Sequence, residues 1–298
     1  MITIHEPVML KEVLRFLDPR PSQNFIDCTF GGGGHSLAIL ELVKPEGKVI
    51  GIDWDRRVVQ DSHNSNLILV NDNYRNLKDI VKRVSEQHGI DRIDGILLDL
   101  GLSSDQLASD DRGFGFSGGE LDLRFDASSD LPKAYELLES LSEKEIKDIL
   151  IEYGEEPLAG AIAKKIVEAR KKGQPIINAS DLAELVSAIY RRRFAKPSKR
   201  HPATRVFQAL RIAVNDEYGN INSVLPKAID TLSAGGRLAV ITFHSGEDRI
   251  VKNVFKELAK GDTARIKILT KKPVEPSEAE VAKNPRARSA KLRVVEKI

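Results

Sequence analysis

Along residues 24–110 the apolar positions change period repeatedly. Short β-rich runs at 24–29, 48–53, 67–71 and 94–99 are separated by stretches with helical spacing, the pattern of a parallel sheet built from βα units. Each run ends at its carboxyl side in a polar or glycine-rich turn: FGGGGH, DWD, NDNY and DLGLSS. Ligands of open α/β sheets bind outside those ends, so the residues able to do chemistry are already grouped. A fifth run of this kind, 235–243, comes only about 135 residues later, and TARIKIL and AKLRVVEKI follow as two further strand candidates.

The sheet is therefore interrupted. Between 112 and 208 the pattern turns helical: PKAYELLESL, SEKEIKDILIEYG, EPLAGAIAKKIVEARKKG and ASDLAELVSAIYRR. In the third of these, Leu158, Ile162, Ile166 and Arg170 recur every four residues beside Ala163 and Val167, and Gly173 ends the stripe. The organisation expected is an α/β domain in two parts, 1–111 and 209–298, with a mainly helical domain inserted at 112–208.

Composition changes this picture little. The chain has 298 residues, 41% of them hydrophobic and 30% charged, ordinary for a soluble protein, and its net charge is +2. No apolar run approaches the roughly 18 residues of a membrane span, and the N-terminal MITIHEPVMLKEVLRFL carries charges within its apolar pattern, unlike a signal peptide. A cytoplasmic protein is expected, with no membrane partner. The single cysteine, Cys28, excludes an internal disulfide and a multi-cysteine metal site, and it reads as a small buried residue. No metal site is expected.

The turn after the first strand carries Gly31 to Gly34, then His35 and Ser36. Glycines there let a ligand approach the main chain, and the following helix offers unpaired N–H groups. The dinucleotide fingerprint G-x-G-x-x-G would need a third glycine at position 36, where the chain has Ser36. Asp53 ends the second strand twenty residues after Gly33, where a carboxylate accepts hydrogen bonds from ribose hydroxyls. Asp72, Asn73 and Tyr74 offer acceptors and a flat face for a base, and Asp99 brings a carboxylate near the ligand's centre. Each residue also has an ordinary structural reading, as a turn, a cap or a packed ring; together they point to a nucleoside.

From Arg191 to Arg211, in RRRFAKPSKRHPATRVFQALR, nine residues are Lys, Arg or His, with Phe194 and Phe207 among them. Such density suits phosphates, and next to a nucleoside-binding sheet it points to RNA, with a solvated basic face as the alternative. Arg191, Arg192, Arg193, Lys196, Lys199, Arg200 and Arg205 are the candidate RNA contacts. After Pro202 a helix is expected that buries Val206, Ala209, Leu210, Ala213 and Val214, with Arg205 and Gln208 turned toward solvent or a ligand.

Several stretches together resemble one family: DCTFGGGGHS, GIDWD, DGILLDLGLSSDQL, RGFGF with LDLRFD, YGEE, HPATRVFQALRIAVNDE, GGRLAVITFHSGEDRIVK and NPRARSAKLRVVE. They are similar to the bacterial small-subunit ribosomal RNA cytosine-N4 methyltransferases, the MraW type, over nearly the whole chain. The resemblance implies a class I, Rossmann-like methyltransferase sheet with an inserted helical domain. It also implies S-adenosylmethionine as cofactor, and as substrate a cytidine in the decoding region of 16S rRNA within the small ribosomal subunit. Carried over by position, the cofactor contacts fall on Gly33, Gly34, His35, Asp53, Tyr74, Asp99 and Gln106. Three departures stand out: Gly246 where relatives usually carry leucine, SGGE without the usual aspartate-glycine-proline before Leu121, and a short 252–284 region.

Amino-group methyltransferases often follow the fourth strand with an Asp/Asn-Pro-Pro-aromatic turn. Here Asp99 is kept, but Leu100 to Ser104 supply neither the prolines nor the ring, so Phe114, Phe116 or Phe243 would have to provide the aromatic platform. Asp99 and His244 are the candidate catalytic residues, His244 because an imidazole titrates near neutrality; a structural hydrogen bond is its alternative role. Two rival functions remain at this stage, an NAD-dependent oxidoreductase and a non-catalytic RNA-binding assembly factor.

Overall fold

The computed structural model describes residues 7–58, 64–102, 112–194 and 201–298. The chain divides into two compact units, Met1–Ser103 with Tyr218–Ile298, and Ser104–Glu217.

The first unit is built on seven strands: β1 (Phe25–Asp27), β2 (Val49–Asp53), β3 (Leu67–Asn71), β4 (Gly95–Asp99), β5 (Arg237–Thr242), β6 (Ile266–Ile268) and β7 (Lys291–Lys297). All seven runs expected from the sequence form strands. Their order is β3-β2-β1-β4-β5-β7-β6. The first five are parallel, and β7 runs antiparallel to both β5 and β6. This is the α/β class I arrangement. Because β1 lies between β2 and β4, the direction of winding reverses at β1, and a crevice opens at the carboxyl ends of β1 and β4.

Apolar residues cover both faces of the sheet. Ile50, Ile52, Ile96, Leu98, Leu238 and Val240 belong to one buried cluster with α3 (Leu77–His88), α9 (Glu217–Thr231) and α10 (Ser245–Leu258). Their neighbours Val49, Leu97, Ala239 and Ile241 belong to the other, with α1 (Leu10–Leu17) and α2 (Gly34–Val43). Strict alternation between two buried faces explains why these strands read as continuous apolar runs. Cys28 is buried in the first cluster, as expected.

The second unit carries α4 (Ala134–Ser140), α5 (Glu143–Glu152), α6 (Ala159–Lys171), α7 (Ala179–Arg193) and α8 (Thr204–Asn215). Ser142 caps α5 by accepting from Glu145 N–H while Glu145 answers Ser142 N–H, and Gly173 follows α6 at φ 72°. The sequence placed the end of this domain at 208. The unit instead runs to Glu217, because α8 packs along α5 and α4. Its other boundary falls beside residues 103–111, outside the described residues. In α8, Val206, Ala209, Leu210 and Val214 are buried as expected, joined by Phe207 and Ile212, while Ala213 is only half-buried. Arg205 and Gln208 donate to the carbonyls of Glu155 (3.2 Å) and Tyr153 (3.2 Å), closing the end of α5.

Candidate active site

The edge at β1 and β4 is tied together by hydroxyls. Ser36 donates to Asp27 Oδ2 (2.7 Å), and Thr29 donates both N–H (3.1 Å) and hydroxyl (3.3 Å) to Asp27 Oδ1. The Thr29 hydroxyl in turn accepts from Asp99 N–H (2.7 Å). This chain fixes the two strand ends at the switch point. It also shows what Ser36 does where the dinucleotide fingerprint has glycine: it anchors a buried carboxylate that the sequence reading had passed over.

Asp27, Asp53 and Asp99 end β1, β2 and β4. No lysine or arginine pairs with any of them among the described residues. Burial pushes Asp27 upward against the opposing pull of His35, and pushes Asp53 up to about 6. Asp99 is held well above the usual carboxylate range by burial, then by the charges of Asp27 and Glu247. Its buried Oδ1 has no hydrogen-bond partner among the described residues, an expensive state that a cationic ligand would relieve. Among the described residues, no three His, Cys, Asp or Glu side chains are grouped so as to hold a metal ion.

Asp53 accepts from Gly31 N–H (2.8 Å) and Asp55 N–H (2.8 Å). Each oxygen keeps a lone pair for another donor, as ribose hydroxyls require. Tyr74 opens a 3₁₀ turn after β3, Tyr74–Asn76, and lies half-buried against the core. His35 is buried; its Nε2–H donates to Val8 O (3.0 Å), which leaves Nδ1 facing Asp99 Oδ2 at 3.7 Å.

The glycine turn is filled differently from the sequence expectation. Gly33 has φ 75° and stands at the start of α2 without a side-chain cap. A Cβ there would lie 2.7 Å from Phe30 Cζ, and one at Gly34 would lie 3.1 Å from Pro7 Cγ. At Gly33 the close approach that bars a side chain is thus made by the protein's own Phe30, whereas at Gly34 the Pro7 ring would have to give by a few tenths of an ångström. Phe30 went unnoticed in the sequence, where one ring beside a glycine run carries no signal.

His244 is the N-cap of α10. Its Nδ1 accepts from Glu247 N–H (3.4 Å), while Glu247 Oε2 accepts from Phe243 N–H (2.8 Å) and His244 N–H (3.3 Å). The Nε2 atom is buried 3.1 Å from Glu247 Oε1 without a well-directed hydrogen bond. The structural role anticipated as the alternative for His244 is therefore present, on one nitrogen only. Glu247, itself buried, could have been found as the acidic third position of a capping box. Asp248 receives Arg293 of β7 through both Nε (2.7 Å) and Nη2 (3.1 Å), fixing the start of α10 on the sheet.

The unusual Gly246 has a physical account. A Cβ at this position would overlap the Tyr218 hydroxyl, and the Tyr218 ring stands 6.0 Å from that of His244. Tyrosine at the start of α9 occupies the volume that a larger residue at 246 would need.

Of the three rings considered as a base platform, Phe243 alone belongs to the unit that holds Asp99. It packs beside Gly101, whose Cβ would come 3.1 Å from Phe243 Cδ2. Phe114 and Phe116 lie in the helical unit. Phe114 is buried, 6.2 Å from Phe125 and beneath Arg112. The cofactor candidates Gly33, Gly34, His35, Asp53, Tyr74 and Asp99 all lie in the α/β unit; Gln106 lies outside the described residues. Arg191, Arg192, Arg193 and Arg205 are exposed on the helical unit, Arg191 pairing with Glu184 (2.6 Å). Lys196, Lys199 and Arg200 lie outside the described residues.

A protein named ribosomal RNA small subunit methyltransferase H from Thermomicrobium roseum is 45% identical over 316 aligned residues, covering 99% of this chain and 94% of its own. One of the same name from Heliobacterium mobile is also 45% identical and covers 99% of both chains. A crystal structure of an rRNA methylase from Streptococcus thermophilus is 13% identical, covers 99% of each chain and has a TM-score of 0.44. The MraW methylase family matches residues 2–298. Given that match and the acid-lined switch point, the chain belongs to the MraW methylase family, and S-adenosylmethionine is its methyl donor.

Proposed function

We propose that this methylase acts on 16S ribosomal RNA of the small subunit in the cytoplasm, transferring a methyl group to N4 of a cytidine in the decoding region. The names of its relatives support the small-subunit substrate, and the resemblance of its motifs supports the atom and the region. One observation carries the chemistry: at the switch point, among the described residues, a buried carboxylate oxygen of Asp99 has no hydrogen-bond partner and the cluster of acids around it has no lysine or arginine partner.

Bound S-adenosylmethionine supplies a methyl group on a sulfonium. Asp53 receives the ribose hydroxyls through its remaining lone pairs, and Tyr74 lies along the base. Asp27 and Asp99 stabilise positive charge in the crevice, and this interaction lowers the Asp99 value so that it works as a carboxylate. The cytosine amine is a weak nucleophile because its lone pair is delocalised into the ring. Asp99 Oδ1 accepts one of its N–H bonds, which orients the lone pair and favours a pyramidal nitrogen; alignment supplies most of the acceleration. Phe243 flanks the base beside Gly101. The surplus proton leaves after transfer; His244, whose Nδ1 accepts from Glu247 N–H and whose Nε2 therefore carries its ring proton toward Glu247 Oε1, fixes the segment after β5 that carries Phe243. The target base is splayed from its stack to enter, while Arg191, Arg192, Arg193 and Arg205 hold phosphates.

The test is mass spectrometry of 16S rRNA nucleosides from a strain lacking the protein, before and after treatment of its small subunits with protein and cofactor. N4-methylcytidine should appear in a decoding-region fragment. Methylation of another atom, or none, would sink the reading.

A further inference from the structure

The helical unit displays an aromatic arrangement that the cofactor crevice does not use. Phe116 and His201 stack with ring centroids 4.1 Å apart and planes inclined by 14°. Phe207 backs Phe116 edge-on at 5.0 Å and 84°. The three rings grade outward: Phe207 is buried, Phe116 half-buried and His201 exposed.

The imidazole is held in place. His201 Nδ1 accepts from Ala203 N–H (3.2 Å), and its carbonyl accepts from Thr204 N–H (3.0 Å) and the Thr204 hydroxyl (2.7 Å). A ring with one face packed on Phe116, and its plane fixed by the turn into α8, presents its other face with little orientational entropy left to lose. Exposed arginines stand on either side of it along the chain. Arg205 is exposed four residues on, and Arg191, Arg192 and Arg193 are exposed at the end of α7, where Phe194 adds a second ring that is 47% exposed. Exposed flat rings among arginines suit unpaired nucleic acid, whose bases stack while its phosphates meet the charges.

We propose that the outer face of His201, backed by Phe116 and Phe207, is a stacking platform for an unpaired base of the RNA substrate. This rests on the ribosomal RNA reading above and adds a base contact on the helical unit to the one in the crevice. Stacking is uncharged, so it contributes affinity without releasing counterions.

Two measurements on the full chain test it. The first is binding of a single-stranded RNA octamer carrying 2-aminopurine, followed by fluorescence over a range of salt. The original protein should quench the probe. His201→Ala should abolish the quench and weaken binding about tenfold with the salt slope unchanged, and His201→Phe should restore both. The second is methyl transfer to small subunits from a strain lacking the protein, where His201→Ala should raise the KM for subunits and leave cofactor affinity intact. The platform is refuted if the original protein gives no quench, if His201→Ala stays within twofold of it, if the salt slope changes with the loss, or if phenylalanine fails to rescue. A chain that quenches the octamer yet transfers no methyl group to subunits would refute the proposed function and leave the platform standing.

Discussion

In the helical unit, buried carboxylates meet partners that answer them. Asp122 receives Arg124 through Nε (2.6 Å) and Nη2 (2.9 Å), Glu217 receives Arg211 through Nε (2.7 Å) and Nη2 (3.0 Å), and Glu156 accepts the Tyr190 hydroxyl (2.8 Å). At the carboxyl edge of the sheet, Asp27 is answered by hydroxyls and a backbone N–H, Asp53 by backbone N–H groups, and Asp99 Oδ2 faces His35 Nδ1 at 3.7 Å while its Oδ1 has no hydrogen-bond partner among the described residues. The first group stabilises a fold already complete within the chain. The second is left poorly answered, at a cost in stability that a positive ligand would relieve.

That contrast can be broken from either side. The largest effect is expected in the helical unit: Asp122→Ala leaves Arg124 buried without its carboxylate and should cost about 3 to 5 kcal/mol in denaturant unfolding. If unfolding is shifted by less than about 1 kcal/mol, the pair is not structural. Next is Asp99→Asn, which keeps the shape and removes the charge; methyl transfer to small subunits should fall at least about a hundredfold, roughly 3 kcal/mol, with the melting temperature unchanged or raised. Activity within tenfold of the original would mean that the Asp99 charge does not serve catalysis.

A third substitution addresses the crevice's neighbour. Gly246→Leu drives a side chain into Tyr218 and should destabilise by about 1 to 3 kcal/mol. Adding Tyr218→Leu should recover most of that loss, and strictly additive effects in the double-mutant cycle would show that the two positions do not compete for one volume.

The smallest effect is one of pH. Burial raises Asp53 from 3.8 to about 6 in the folded chain, so its protonation favours the fold in the acid range, and that contribution is lost as pH rises through 6. Cofactor binding has the opposite slope, because ribose hydroxyls donate to the ionised carboxylate. Affinity should fall up to about tenfold per pH unit below 6 through this group, and the fall should be shallower in Asp53→Asn, where Asp27 and Asp99 are left to titrate. Titration calorimetry at pH 5, 6 and 7 reads it; a flat profile would remove Asp53 from the ribose site.

The apolar runs at the centre of the sheet were legible in the sequence, since β1, β2, β4 and β5 are buried on both faces and carry nothing polar between their ends. The acids were legible only in part. Asp53 and Asp99 end strands before polar turns and stood out, whereas Asp27 precedes Cys28 and a threonine, and its partner Ser36 looked like a failed glycine. The boundary at 217 was missed because α8 carries the basic and apolar signals of both units in one helix, and which unit it joins depends on packing against α4 and α5.

Sequence by itself determined the period of each element, the family, and the residue types available at the ends of β1, β2 and β4, because local pattern and spacing are properties of the chain. Tertiary structure decided which of those groups are paired. Tyr218 standing where a side chain at 246 would go and His201 stacked on Phe116 are contacts between residues distant in sequence, and the lack of a hydrogen-bond partner for Asp99 Oδ1 among the described residues depends on what folding brings beside it. Burial and partnership set the energy of a carboxylate or a ring, and both exist only once the chain has folded.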